Sequence, residues 1–176
     1  MKSTMNLQLR HSTIRPFRRD DAASLAVHAN NYKVWRNLRD LMPHPYAERD
    51  AAAFIEEMLS QPRPTNFAIE VNGAAVGAIG LRLRDNVERV GAELGYWLGE
   101  AYWGRGIVSE ALPAFTRWAL DEFNLCRIHA VVFEWNLASA RVLEKSGYQL
   151  EGKMRRSAIK EGQIIDRHLY AFVVDI

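Results

Sequence analysis

The chain has 176 residues, 48% hydrophobic and 25% charged, with a formal net charge of +2. That length suits one domain with a sizeable core, the balance excludes a disordered chain, and the small charge gives no ground for nucleic-acid binding. A single cysteine, Cys126, excludes an internal disulfide and a cysteine-rich metal site. The first residues do not form a signal-peptide core. No apolar stretch approaches the roughly 20 residues that cross a bilayer. A soluble, cytoplasmic protein without a metal, a membrane partner or a direct nucleic-acid partner is expected.

Residues 7–17 read as a strand, with Pro16 at its end or at an edge. Asp20 is a natural N-cap for a helix over Ala22–Ala29. A short helix is expected at 33–38. The two prolines of Leu41-Met42-Pro43-His44-Pro45-Tyr46 forbid helix there. Helix restarts near Glu48, with Ala52, Ile55, Met58 and Leu59 on one face. Residues 67–71 and 74–84 form a hairpin about Asn72-Gly73, and a third strand over 87–98 follows the turn Asp85-Asn86.

Residues 107–123 have helical spacing, with Val108, Ala111, Leu112, Phe115, Trp118 and Phe123 on one side. Pro113 lies inside and is expected to kink that helix unless its first turn is loose. A strand at 127–133 and a short helix at 138–145 follow, the latter stopped by Gly147. Residues 148–159 and 164–174 close the chain as a hairpin about Glu161-Gly162. The pattern is one α/β domain over 1–176. Its sheet is mixed and mostly antiparallel, with a parallel contact across the 107–123 crossover.

The chemistry concentrates where the 87–98 strand gives way to helix, in Trp97-Leu98-Gly99 and Trp103-Gly104-Arg105-Gly106-Ile107-Val108-Ser109. Glycines at 104 and 106 let backbone approach a ligand closely. The free N–H groups of a first helical turn, and the helix dipole, then favour phosphate oxygens, and Arg105 adds charge. No Gly-Lys-Ser/Thr follows, which excludes a Walker loop. Ser109 stands where a dinucleotide fingerprint needs its third glycine. Glycine is also the default turn residue, so the pair alone is equally well a plain turn. In a second segment, Phe133 to Tyr148, Asn136 and Ser139 stand between strand and helix. Both are also favoured helix caps in their own right.

Together these segments resemble the GCN5-related N-acetyltransferases (GNAT), most closely the branch holding the ribosomal-protein alanine N-acetyltransferases RimJ and RimL. Four ordered blocks carry the likeness. They are Ile14-Arg15-Pro16-Phe17 with Asp20-Asp21-Ala22, and Pro43-His44-Pro45-Tyr46 with Asp50-Ala51 and Phe54-Ile55. The third is Ala92-Glu93-Leu94-Gly95-Tyr96-Trp97-Leu98 with the glycine loop, and the last is Asn136 and Ser139 with Glu144-Lys145-Ser146-Gly147-Tyr148.

The resemblance implies the GNAT fold, a central sheet of six to seven strands flanked by helices, with parallel strands splayed at an acyl-CoA slot. It implies acetyl-CoA as cosubstrate and a primary amine as acceptor, either a protein N-terminus such as a ribosomal protein's or a small amine. Trp97, Leu98 and Gly99 would line the pantetheine arm, with a backbone N–H near Leu98 polarising the thioester. Gly104, Arg105, Gly106, Ile107 and Val108 would hold the pyrophosphate, with Trp103 and Ser109 also among the cofactor-binding residues. Asn136 would bond the pantetheine and Ser139 would lie near the sulfur. A homodimer is a family-level expectation.

Two positions depart from the family pattern. Leu143 occupies the place of a tyrosine that commonly protonates the thiolate, so Ser139 becomes the candidate donor there. Ala158 aligns with a glutamate common in RimL-like proteins, so Glu93 becomes the candidate base. Glu93 could equally be a glutamate that only pairs across the sheet. His11, His28, His44, His129 and His168 lack metal-ligand spacing and read as packed or surface histidines, with His44 at the border of an expected acceptor groove. Two rival readings remain, a non-catalytic acetyl-CoA sensor and a nucleotide-binding protein using the glycine loop.

Overall fold

The computed structural model describes residues 5–175. In chain order its elements are β1 (Leu7–Gln8), β2 (Thr13–Arg15), α1 (Ala22–Ala29), α2 (Tyr32–Trp35), α3 (Glu48–Ser60), β3 (Asn66–Val71) and β4 (Ala74–Leu83). There follow β5 (Gly91–Leu98), α4 (Ile107–Phe123), β6 (Arg127–Phe133), α5 (Leu137–Lys145), β7 (Gln149–Lys160) and β8 (Gln163–Val173). The eight strands are hydrogen-bonded in the order β1-β2-β3-β4-β5-β6-β8-β7. The β5–β6 pair is parallel, and β1–β2, β2–β3, β3–β4, β6–β8 and β7–β8 are antiparallel. The strand count exceeds the expected six to seven because residues 7–17 are not one strand. The Leu9 N–H bonds the Ser12 carbonyl at 2.9 Å, and the chain doubles back.

The chain divides into two compact units, one built from Met1–Gly80 and Tyr96–Ala111, the other from Leu81–Gly95 and Leu112–Ile176. In the first unit, Leu25, Ala26 and Ala29 of α1 and Ala51, Ile55 and Met58 of α3 share one buried cluster with Ala68, Ala75 and Ala78 of the sheet. Small alanines on the strands let the helices sit close. The approach to α1 is fixed by Asp21, whose carboxylate accepts from the Arg18 N–H at 2.7 Å and from both Arg15 Nη atoms at 2.7 Å. Asn31 caps α2 by accepting from the Lys33 and Val34 N–H groups, so this helix starts earlier and ends sooner than expected. The β3–β4 turn has Asn72 and Gly73 at φ 51 and 84, the left-handed pair a two-residue hairpin needs.

In the second unit, Asn86–Glu88 form a 3-10 turn, so β5 begins at Gly91 rather than at 87. Its parallel register with β6 matches Gly91, Ala92 and Glu93 with Arg127, Ile128 and His129, and both strands run on beyond that pairing. Along β6 the residues Ile128, Ala130 and Val132 are buried and the alternate ones are not. The β7–β8 turn has Glu161 and Gly162 at φ 52 and 75. α4 runs unbroken from Ile107 to Phe123 through Pro113. Among the described residues no helix is long and apolar enough to cross a membrane.

Candidate active site

The end of β5 and the loop after it form a tightly bonded turn. The Gly99 N–H bonds the Val76 carbonyl at 2.8 Å, and the Trp103 indole donates to the Leu98 carbonyl at 2.7 Å. The Tyr102 N–H bonds the Gly99 carbonyl at 2.9 Å. Three backbone groups of Leu98 and Gly99, expected beside a pantetheine arm, are therefore already engaged, one with β4 and two within the turn. Gly104 and Gly106 follow at φ 72 and 76. The Glu110 N–H then bonds the Gly106 carbonyl at 3.1 Å and starts the α4 ladder. The amides of Ile107, Val108 and Ser109 precede that first bond, the position in which helical N–H groups have no acceptor within their own helix. Ile107 is buried and anchors the turn, whereas Arg105 and Ser109 are exposed.

Arg105 lies over the Tyr102 ring, 5.2 Å from its centroid, and His28 meets the same ring edge-on at 5.3 Å. His28 also fills the space beside Gly99, where a Cβ would come 2.8 Å from its Nδ1. Burial lowers the His28 pKa and favours its neutral form. Trp97, Leu98, Gly99, Trp103, Gly104, Arg105, Gly106, Ile107, Val108 and Ser109 thus belong to one unit, on the run from the end of β5 to the first turn of α4. Glu110 takes part differently. Its carboxylate accepts the N–H groups of Arg10 at 2.7 Å and His11 at 3.0 Å, tying the β1–β2 turn to the first turn of α4.

The remaining candidates lie in the other unit. Glu93 stands opposite His129 in the β5–β6 register, and its side chain is 12% exposed. Arg84 Nη2 lies 3.4 Å from Glu93 Oε2 and 3.3 Å from His129 Nε2. Below them Arg127 makes a two-pronged pair with Glu151. The His129 pKa is lowered, first by burial, with Arg84 and Arg127 adding to that effect and Glu93 opposing it. Asn136 caps α5, its Oδ1 accepting the Ser139 N–H at 3.2 Å. Leu143 is fully buried, so its position offers no donor to a ligand.

Arg84 was not among the residues singled out from sequence, and His129 was read there only as a packed or surface histidine. No local pattern marks them. Arg84 reaches Glu93 across a turn, and His129 reaches it only through a parallel register set by a long helical crossover.

A family model described as an acetyltransferase (GNAT) domain matches residues 11–149. The protein named uncharacterized N-acetyltransferase p20, of Bacillus licheniformis, is 30% identical over 127 residues, which are 71% of each chain. The ribosomal-protein-serine acetyltransferase of Escherichia coli (strain K12) is 33% identical over 84 residues, 48% of this chain and 47% of that one. The chain thus spans about half the length of that second relative. Among solved structures, Mycobacterium smegmatis RimJ in complex with CoA-disulfide superposes with a TM-score of 0.81 at 24% identity, covering 92% of this chain and 81% of that one. The protein belongs to the acetyltransferase (GNAT) family, has RimJ- and RimL-like proteins among its relatives, and is an N-acetyltransferase.

Proposed function

We propose that this N-acetyltransferase takes acetyl-CoA as cosubstrate and acetylates a primary amine, a protein N-terminus or a small amine, by direct transfer. The observation that carries this reading is the pair of left-handed glycines, Gly104 and Gly106, that opens onto the first-turn amides of α4. That is an anion cradle of the kind a pyrophosphate needs. The relatives named as ribosomal-protein acetyltransferases, and neighbours solved with coenzyme A, support the same choice.

In this reading Gly104, Arg105, Gly106, Ile107 and Val108 hold the pyrophosphate, and Trp103 and Ser109 belong to the same cofactor site. Trp97, Leu98 and Gly99 line the pantetheine arm, and Asn136 bonds it through its amide. Glu93 takes a proton from the ammonium form of the acceptor. The free amine attacks the thioester carbon, the C–S bond breaks, and the thiolate leaves beside the Ser139 hydroxyl, taking up the proton that the new amide nitrogen loses. Holding both reactants in line supplies much of the rate, because it replaces a bimolecular encounter. The whole chain acts as one catalytic domain, works in the cytoplasm, and pairs as a homodimer through the sheet edge or the N-terminal helices.

The test is release of free thiol from acetyl-CoA with an amine panel. Peptides beginning with Ala, Ser and Met, polyamines and free amino acids span the choices. Thiol release dependent on one amine class is expected. Tight acetyl-CoA binding with no thiol release for any amine would overturn catalysis and leave a sensor.

A further inference from the structure

Arg84, Glu93 and His129 are three charged or titratable groups converging on one face of the β5–β6 pair. A guanidinium can only donate hydrogen bonds. Its Nη2 lies 3.3 Å from His129 Nε2 and 3.4 Å from Glu93 Oε2. Nε2 must then carry its lone pair, which makes His129 neutral with its proton on Nδ1. The other charged groups acting on His129 are Arg127, on its own strand, and Glu151, from β7. Those two pair with each other, so each offsets the other's field.

We propose that His129 is a positioning residue for the acetyl transfer, an acceptor that shares Arg84 with Glu93 and so keeps the Glu93 carboxylate basic. This rests on reading Glu93 as the base. With His129 neutral, one Arg84 N–H is drawn to the imidazole and the contact to Glu93 stays long. Once Nε2 is protonated, it faces the guanidinium as a second cation. Arg84 then turns wholly to Glu93, and two positive charges beside that carboxylate reduce its affinity for the amine proton. Burial favours the neutral imidazole, in keeping with this geometry. The arrangement ties the acid limb of the reaction to a histidine that never touches substrate.

Two measurements test it. In the resting protein at about pH 8, well above the ordinary histidine range, 15N-detected imidazole signals should report the Nδ1–H tautomer for the resonance that His129→Gln removes. An Nε2–H tautomer there overturns the proposal whether or not Glu93 is the base. The second is the pH profile of kcat at saturating substrates. His129→Ala should lower kcat about tenfold, a modest part of what general-base catalysis supplies. KM for acetyl-CoA should hold. His129→Gln keeps an acceptor oxygen for Arg84 but cannot titrate, so it should restore most of kcat and move the acid limb down by about one pH unit. An acid limb that His129→Gln leaves in place overturns the proposal. Unaltered turnover in Glu93→Gln overturns instead the base assignment on which it rests, and the tautomer result separates the two failures.

Discussion

Gly77 of β4 lies so close to Trp97 of β5 that a Cβ on it would stand 2.3 Å from the Trp97 carbonyl oxygen. The same Cβ would come 3.0 Å from the Leu98 Cα, so two backbone groups would have to move. Those are the residues at which the strand enters the glycine turn. Gly77→Ala is expected to cost about 1–3 kcal/mol through overpacking, and to weaken the protection that acetyl-CoA gives against heat. Thermal unfolding with and without acetyl-CoA checks both. Gly152→Ala, where a Cβ meets nothing within 4 Å, is the matched control and should leave both unchanged.

Gly106→Ala isolates conformation from clash. An added Cβ would meet nothing within 4 Å, but φ is 76. Holding a non-glycine residue there costs about 1–2 kcal/mol. The expected result is a rise in KM for acetyl-CoA that exceeds the fall in kcat. Gly162→Ala, at φ 75 in the β7–β8 turn, carries a similar strain far along the chain. It should lower stability alike and leave KM for acetyl-CoA alone.

Glu93→Gln keeps the shape of the side chain and removes its basicity. Turnover near neutral pH should fall about a hundredfold or more, the usual share of a general base, while acetyl-CoA still protects the fold. Steady-state kinetics across pH decide it. Arg84→Met should change the pH dependence of the same rate, because Arg84 lies against both Glu93 and His129.

Asp21 and Arg15 form an ion pair buried at both ends, their side chains 5% and 4% exposed, and the Arg15 Nε also pairs with Glu70. Asp21→Ala leaves the buried guanidinium with Glu70 as its remaining carboxylate partner and should cost about 3 kcal/mol, read as a shift in the urea midpoint. Glu56 bonds Arg19 with equally good geometry, but both side chains are largely exposed. Glu56→Gln should therefore show no measurable loss, since solvent screens that pair.

Stability should fall as the solution is acidified through the histidine range. Burial lowers the pKa of both His28 and His129 from an ordinary 6.5. The unfolded chain therefore takes up protons first, and the stabilising contribution is complete above the ordinary value and lost as pH drops below it. The difference in melting temperature between about pH 7.5 and about pH 5.5 should shrink in His28→Gln, which removes one of the two groups titrating there.

Local chemistry made much of this protein legible. Asn72-Gly73 and Glu161-Gly162 announce two-residue hairpins, because those residue types tolerate the positive φ that such turns require. The span of α4 follows from periodicity, and Pro113 did not break it, whereas Asp20, the expected cap of α1, lies in a 3-10 turn and Asp21 holds the cap position without a side-chain cap bond. The misjudged places were short segments. The 7–17 stretch folded back on itself, and Asn86–Glu88 coiled instead of extending. Pairing partners and side-chain bonds decide such segments, and propensity says little about either.

Sequence by itself determined the family, the element order after residue 17 and the glycine turn at 103–109, since each depends on residue types at fixed local spacing. Tertiary structure alone decided what stands beside Glu93. Strand register is a property of two distant segments brought together by a crossover, so no local signal places His129 opposite Glu93 or aims Arg84 at both. The spacing of Gly77 and Trp97 belongs to the same class. Close approach of two backbones leaves only a glycine in the sequence, and the glycine does not say what it makes room for.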